Sequence, residues 1–87
     1  MVKIWAKVMI KDKIVKSYVF TKDVDMDYGE FFNYLSQITF NLDIPTPVLI
    51  KTHIFNYAKY NFVRFGKSDF VESVDFDRLI LENIEGK

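Results

Sequence analysis

Apolar and polar residues alternate through the first ten positions. Val2, Ile4, Ala6, Val8 and Ile10 interleave with Lys3, Trp5, Lys7, Met9 and Lys11, the period-two signature of a strand with one dry face. Lys11, Asp12 and Lys13 interrupt the pattern, and Ile14, Val15, Tyr18, Val19 and Phe20 resume it with good strand formers, so a hairpin is predicted. No Asn-Gly or Asp-Gly pair fixes its turn. A two-residue loop would put Tyr18 and Phe20 on the lysine face with Trp5 and Met9; a three-residue loop would move them to the dry face.

The period then changes from two to 3.6. Tyr28, Phe31, Phe32, Leu35, Ile38 and Leu42 recur at helical spacing behind Asp27 and Glu30, which stand in the D-x-x-E relation of a capping box. Asp25, Asp27 and Glu30 suit the positive start of a helix. Pro45 and Pro47 stop the pattern, because proline lacks the N–H donor and pushes the residue before it to extended angles. Residues 48–66 carry two periods at once: Val48, Ile50, Thr52 and Ile54 alternate like a strand, while Ile50, Ile54, Ala58, Phe62 and Phe65 recur like a helix face. Alternation fails beyond Ile54. The expectation is a short extended piece at 47–51, a helix from Thr52 as cap to Asn61, and extended chain before Gly66. The rival is a second hairpin, favoured by the β-branched and aromatic content. A turn around Phe70 then leads to a last strand, with Arg78, Leu79, Ile80, Leu81 and Ile84 near the end.

These elements predict a single α+β domain over residues 1–87. An antiparallel sheet, built from the N-terminal hairpin and C-terminal strands, is packed on one face by one or two helices in the order ββα(α)ββ. Phe31, Phe32, Leu35 and Ile38 are expected to bury against Ile4, Ala6 and Val8. Fifteen aromatics in 87 residues offer more ring surface than a core this size hides, so some should remain at the surface.

Charge is neutral overall but segregated. Residues 1–22 hold six lysines against Asp12 (+5), residues 23–43 five acids and no base (−5), residues 44–68 four bases and no acid (+4), and residues 69–87 six acids against two bases (−4). Blocks that cancel pairwise suit a self-neutralising domain better than a polyanion binder. The chain has no cysteine, which excludes disulfides and thiolate chemistry. It has neither the apolar run of a signal peptide nor that of a membrane span. A cytoplasmic protein without membrane association is the expectation.

Candidate chemistry is sparse. Asp23, Asp25 and Asp27 space like the first ligands of a calcium loop, but Tyr28 and Tyr34 occupy the positions that need glycine and glutamate, so they read as helix-start acids. Asp75 and Asp77 flank Phe76 and read as a solvated approach to the last strand. His53 is the sole histidine, no serine sits in a G-x-S-x-G elbow, and the three glycines are isolated, which removes a histidine-rich metal site and a phosphate loop. No catalytic residue, cofactor or metal is expected, and the chain is read as a non-enzyme.

The stretch from Lys51 to Lys67 interleaves Lys51, His53, Lys59, Arg64 and Lys67 with Phe55, Tyr57, Tyr60, Phe62 and Phe65, the mixture that stacks bases and holds phosphates. Phe62 to Phe65 match the F-V-x-F end of an RNA-recognition strand, without its glycines and in a different order of elements. Core aromatics flanked by basic chains explain the same residues. The expected function is therefore a non-catalytic protein-interaction module whose partner is another protein or a second copy. Contact residues are expected among Trp5, Tyr18, Phe55, Tyr57, Lys59, Tyr60 and Arg64. Weak single-stranded nucleic-acid binding through residues 51–67 is the second expectation.

Overall fold

A computed structural model describes residues 1–85; Gly86 and Lys87 lie outside the described residues. Strands β1 (Val2–Ile10) and β2 (Lys13–Lys22) form the hairpin, helices α1 (Phe31–Leu42) and α2 (Lys51–Tyr60) follow, and β3 (Phe62–Gly66) and β4 (Arg78–Asn83) complete one sheet. Its order is β2-β1-β4-β3 with every neighbouring pair antiparallel. This is the expected α+β class. β1 and β4 occupy the centre, so the first and last strands meet there and their inward residues Ile4, Ala6, Val8, Leu79 and Leu81 are fully buried. Both helices cover that face.

The hairpin settles its register in a way that neither loop length alone implies. Ile10 pairs with Lys13 across a two-residue turn, yet Val8 faces Lys16, because Val15 is inserted as a bulge between the Val8 and Met9 pairs. One extra residue inverts every later side chain. Tyr18 and Phe20 thus lie opposite Ala6 and Ile4 on the helix-covered face, with Phe20 buried and Tyr18 half-buried. Lys11 takes a left-handed φ of 55° in the turn, a conformation usually left to glycine or asparagine. Asp77 holds it there: its carboxylate accepts the Lys11 N–H, and its own N–H donates to the Met9 carbonyl at 2.8 Å.

Two details of α1 correct the sequence reading. The capping box does not form: Asp27 accepts the N–H of Gly29 at 2.9 Å and caps a 3-10 turn over Tyr28–Glu30, while the Glu30 carboxylate accepts from the Asn33 amide at 3.2 Å. The 3-10 turn delays the helix to Phe31. Phe32 is also not core, being 53% exposed, whereas Tyr34 is buried. With 100° per residue, Phe31, Tyr34, Leu35, Ile38 and Leu42 form one stripe and Phe32 falls off its side. The helix ends before either proline, with Asp43 left-handed at φ 56° and the Lys16 ammonium donating to the Leu42 carbonyl at 3.0 Å, a cation at the negative helix end.

The segment with two periods resolves as helix followed by strand, close to the expected boundaries. The cap differs: α2 starts at Lys51, and His53 reaches back so that Nδ1 accepts the Ile50 N–H at 3.1 Å, in place of a Thr52 cap. Asn61 takes φ 63° between α2 and β3, a residue type that tolerates left-handed angles, and its carbonyl accepts the Asn83 N–H at 2.8 Å. Helix packing buries Tyr57 to 1% exposure against Phe31, ring centroids 4.9 Å apart. Among the described residues, its hydroxyl has no hydrogen-bond partner.

That orphan hydroxyl generates two expectations. Burial first, and the nearby Glu85 and Glu82 carboxylates in support, hold the Tyr57 phenol above its ordinary value. A raised folded value means that the associated stability is complete below about pH 10 and is lost as pH rises above it, by at most about 1.4 kcal/mol per pH unit. Tyr57→Phe should be neutral or stabilising at neutral pH, since no bond is lost and a desolvated hydroxyl is removed, and it should flatten the alkaline decline. Denaturant midpoints on both sides of about pH 10 check this; a clearly destabilised Tyr57→Phe would reveal a hidden partner. Asp77→Ala should cost about 1 kcal/mol by freeing the strained turn at Lys11, read as a lower thermal midpoint with faster amide exchange at Lys11 and at position 77.

Candidate interaction surface

Alternation leaves the other sheet face bare. Three rows cross it: Val19, Trp5, Glu82 and Phe62; then Ser17, Lys7, Ile80 and Arg64; then Ile14, Met9, Arg78 and Gly66. No helix packs there, so Val19, Phe62 and Ile14 stay 46 to 49% exposed and Trp5, Met9 and Ile80 half-buried. Half of these twelve positions are apolar. An ordinary two-layer domain keeps an uncovered sheet face mostly polar, and a contiguous apolar band rimmed by charge is the usual mark of a contact surface.

The charges on this face are mainly positive. Lys7 bonds Glu82 at 3.2 Å and its ammonium lies 4.3 Å from the Trp5 ring centroid, so Trp5, Lys7 and Glu82 form one ordered cluster. Arg64 is exposed, and the Arg78 guanidinium comes only within 3.9 Å of Asp12 at the hairpin tip. With Lys3 next along β1, four bases meet one acid, and that acid is spent on Lys7.

Around the β3 edge the surface continues onto α2. Asn56, Tyr60, Phe62, Val63 and Arg64 line a shallow groove of about 260 Å³. Beyond it, the Lys59 ammonium lies 5.6 Å from the Phe55 ring and 5.4 Å from the Tyr60 ring, within reach of cation–π attraction. The expected contact residues therefore divide three ways. Trp5 and Arg64 share the open sheet face, and Phe55, Lys59 and Tyr60 share the exposed side of α2. Tyr57 and Tyr18 fall on the other face of the sheet, Tyr57 as core and Tyr18 at its margin beside β2; the helical turn withdraws the first and the bulge redirects the second. Phe62, Ile80 and Val19 join the surface unexpectedly. For Phe62, the alternation of Phe62 and Arg64 against Val63 and Phe65 carried the signal.

His53 and Asp69 hold structural positions. His53 packs on Phe65 at 4.5 Å between centroids, with Nδ1 capping α2 and Nε2 3.6 Å from an Asp69 oxygen. Asp69 in turn accepts the Gly66 N–H at 2.8 Å, and its carbonyl accepts Val48 N–H. This pair ties the start of α2 to the turn after β3. A groove of about 600 Å³ at the hairpin end is lined by Val8, Ile44, Phe76, Lys16, Asp43 and Asp75 among others, without the histidine. Among the described residues, no three His, Cys, Asp or Glu side chains gather as a metal site, and no helix is long and apolar enough to cross a membrane. Compared with known proteins, the chain matches no protein family, no curated protein and no solved structure.

Proposed function

We propose that this domain is a non-catalytic protein-interaction module that docks a partner protein on its open sheet face. The observation that carries the proposal is the uncovered band of Val19, Trp5, Phe62, Ile80, Met9 and Ile14. Apolar area of this kind supplies the affinity of an interface, and aromatic and arginine side chains are its usual anchors. The bases Lys3, Lys7, Arg64 and Arg78 interleaved with this band favour an acidic partner and disfavour face-to-face packing of two copies, which would stack like charges. A cytoplasmic setting, expected from the sequence, belongs to this proposal.

A second reading is single-stranded nucleic acid, favoured by the single groove that Tyr60, Phe62 and Arg64 share. Aromatic rings beside cations stack bases without sequence preference. Glu82 in the middle of the face weighs against it.

Trp5 is the chain's sole tryptophan and lies within the face, so its emission reports occupancy. A glutamate-rich peptide bearing leucine and phenylalanine should shift that emission saturably. Phe62→Glu with Arg64→Glu should weaken the binding at least tenfold, the scale of losing two interface anchors, without altering the far-UV circular dichroism. An unmoved spectrum with the peptide would sink the protein-partner reading. Saturable binding of oligothymidylate at low salt, with a steep salt slope, would favour nucleic acid instead.

A further inference from the structure

The longest strand of the sheet is also an edge. β2 has ten residues, pairs only with β1, and is exposed along nearly its whole length. A ten-residue strand spans about 33 Å, matching the molecule's longest extent of 33 Å. An unpaired edge of this length is a template for another strand, and its flanks say which strand.

The charge sequence around β2 runs from positive to negative. Lys11, Asp12 and Lys13 stand at its start, a net of one positive charge, and the three acids Asp23, Asp25 and Asp27 follow its end. An identical strand laid antiparallel brings the basic start of each copy beside the acidic end of the other. The remaining lysines do not oppose this arrangement, because both turn toward α1: Lys16 donates to the Leu42 carbonyl at 3.0 Å, and the Lys22 ammonium sits 5.8 Å from the Tyr34 ring. The acidic end also carries the N-terminal ammonium, which pairs with Glu85 at 2.6 Å.

α1 adds no charge of its own. Phe31–Leu42 contains no acid or base, and Tyr34, which leans on Phe20 of β2 at 5.5 Å between centroids, marks the side turned to the edge. Next to Tyr34 on the helical wheel stand Gln37 and Asn41, exposed and uncharged. The strand edge, about 33 Å by 10 Å, and the helix beside it, about 18 Å by 10 Å, together present roughly 500 Å² per copy, near the lower end of specific interfaces.

We propose that β2 pairs antiparallel with β2 of a second copy around a two-fold axis at Tyr18, forming a continuous eight-stranded sheet in which Lys13 of each copy meets Asp23 of the other. The pairing uses the sheet edge and leaves the open face free, so it stands or falls separately from the docking proposal. Lys13 and the Val15 bulge blunt the edge against arbitrary strands, and a head-to-tail copy is the partner that converts the lysine end into an attraction.

Within one chain Lys13 and Asp23 lie at opposite ends of the strand, about 33 Å apart and several Debye lengths beyond mutual influence. A charge swap therefore reads only contact between copies. Sedimentation equilibrium of the full chain should give a reversible dimer. Lys13→Glu and Asp23→Lys should each weaken it roughly tenfold, since each replaces two attractive pairs by two repulsive ones, and the double variant should restore it. Both sites are exposed, so folding is preserved and checked by circular dichroism. A strictly monomeric protein up to its solubility limit overturns the proposal. So does a dimer indifferent to the single reversals, or one that the double variant fails to rescue.

Discussion

The antiparallel pairing of β1 with β4 is the constraint from which the rest of this molecule follows, because it joins residues 4–9 to residues 78–83 and buries Ile4, Ala6, Val8, Leu79 and Leu81 in one layer. A contact of such long sequence separation carries a large closure entropy. The apolar area gained in that layer offsets it. Once the two central strands are fixed, β2 and β3 can attach only at the edges, and the helices must cover the one greasy face. The connection between β2 and β3 runs through α1 and α2, whose stripes meet at Phe31 and Tyr57.

One-sided covering has a consequence for the opposite face. Strict alternation on β1 sends Trp5, Lys7 and Met9 outward, and the registers of β4 and β3 bring Ile80, Glu82, Phe62 and Arg64 beside them. The resulting surface mixes aromatic, aliphatic and basic groups held rigidly by the ladder. Rigid presentation lowers the entropy lost on binding. The chain's only imidazole meanwhile caps α2 and contacts Asp69.

The charge blocks acquire meaning only with the topology in hand. Much of the first basic block lies on the hairpin and much of the first acidic block on the segment between β2 and α1, so opposite charges accumulate at opposite ends of the exposed β2 edge. Individual members have local tasks. Lys16 neutralises the end of α1 and Asp77 clamps the hairpin turn. A neutral chain can therefore hold directional electrostatics.

Where a single periodicity governs a segment, the sequence sufficed: it determined the hairpin, α1, the strand around Leu79 and the α+β class, because dry-face alternation and a helical stripe are local properties of side-chain order. It also exposed the mixed chemistry of residues 51–67. Only tertiary structure decided the rest. The Val15 bulge, invisible in composition, reversed Tyr18 and Phe20 by inserting one residue into the ladder. The helix over Lys51–Tyr60 was expected from the sequence, but its packing against α1 at Phe31 is what withdrew Tyr57 from the surface while leaving Phe55, Lys59 and Tyr60 outside. Phe32 and Tyr34 exchanged their expected places because the buried stripe of α1 is centred on Phe31, Leu35, Ile38 and Leu42, which takes in Tyr34 and leaves Phe32 to one side. The companionship of Trp5 with Phe62 and Arg64 depends on strand order. Which strands adjoin is a property of long-range burial, and no local pattern encodes it.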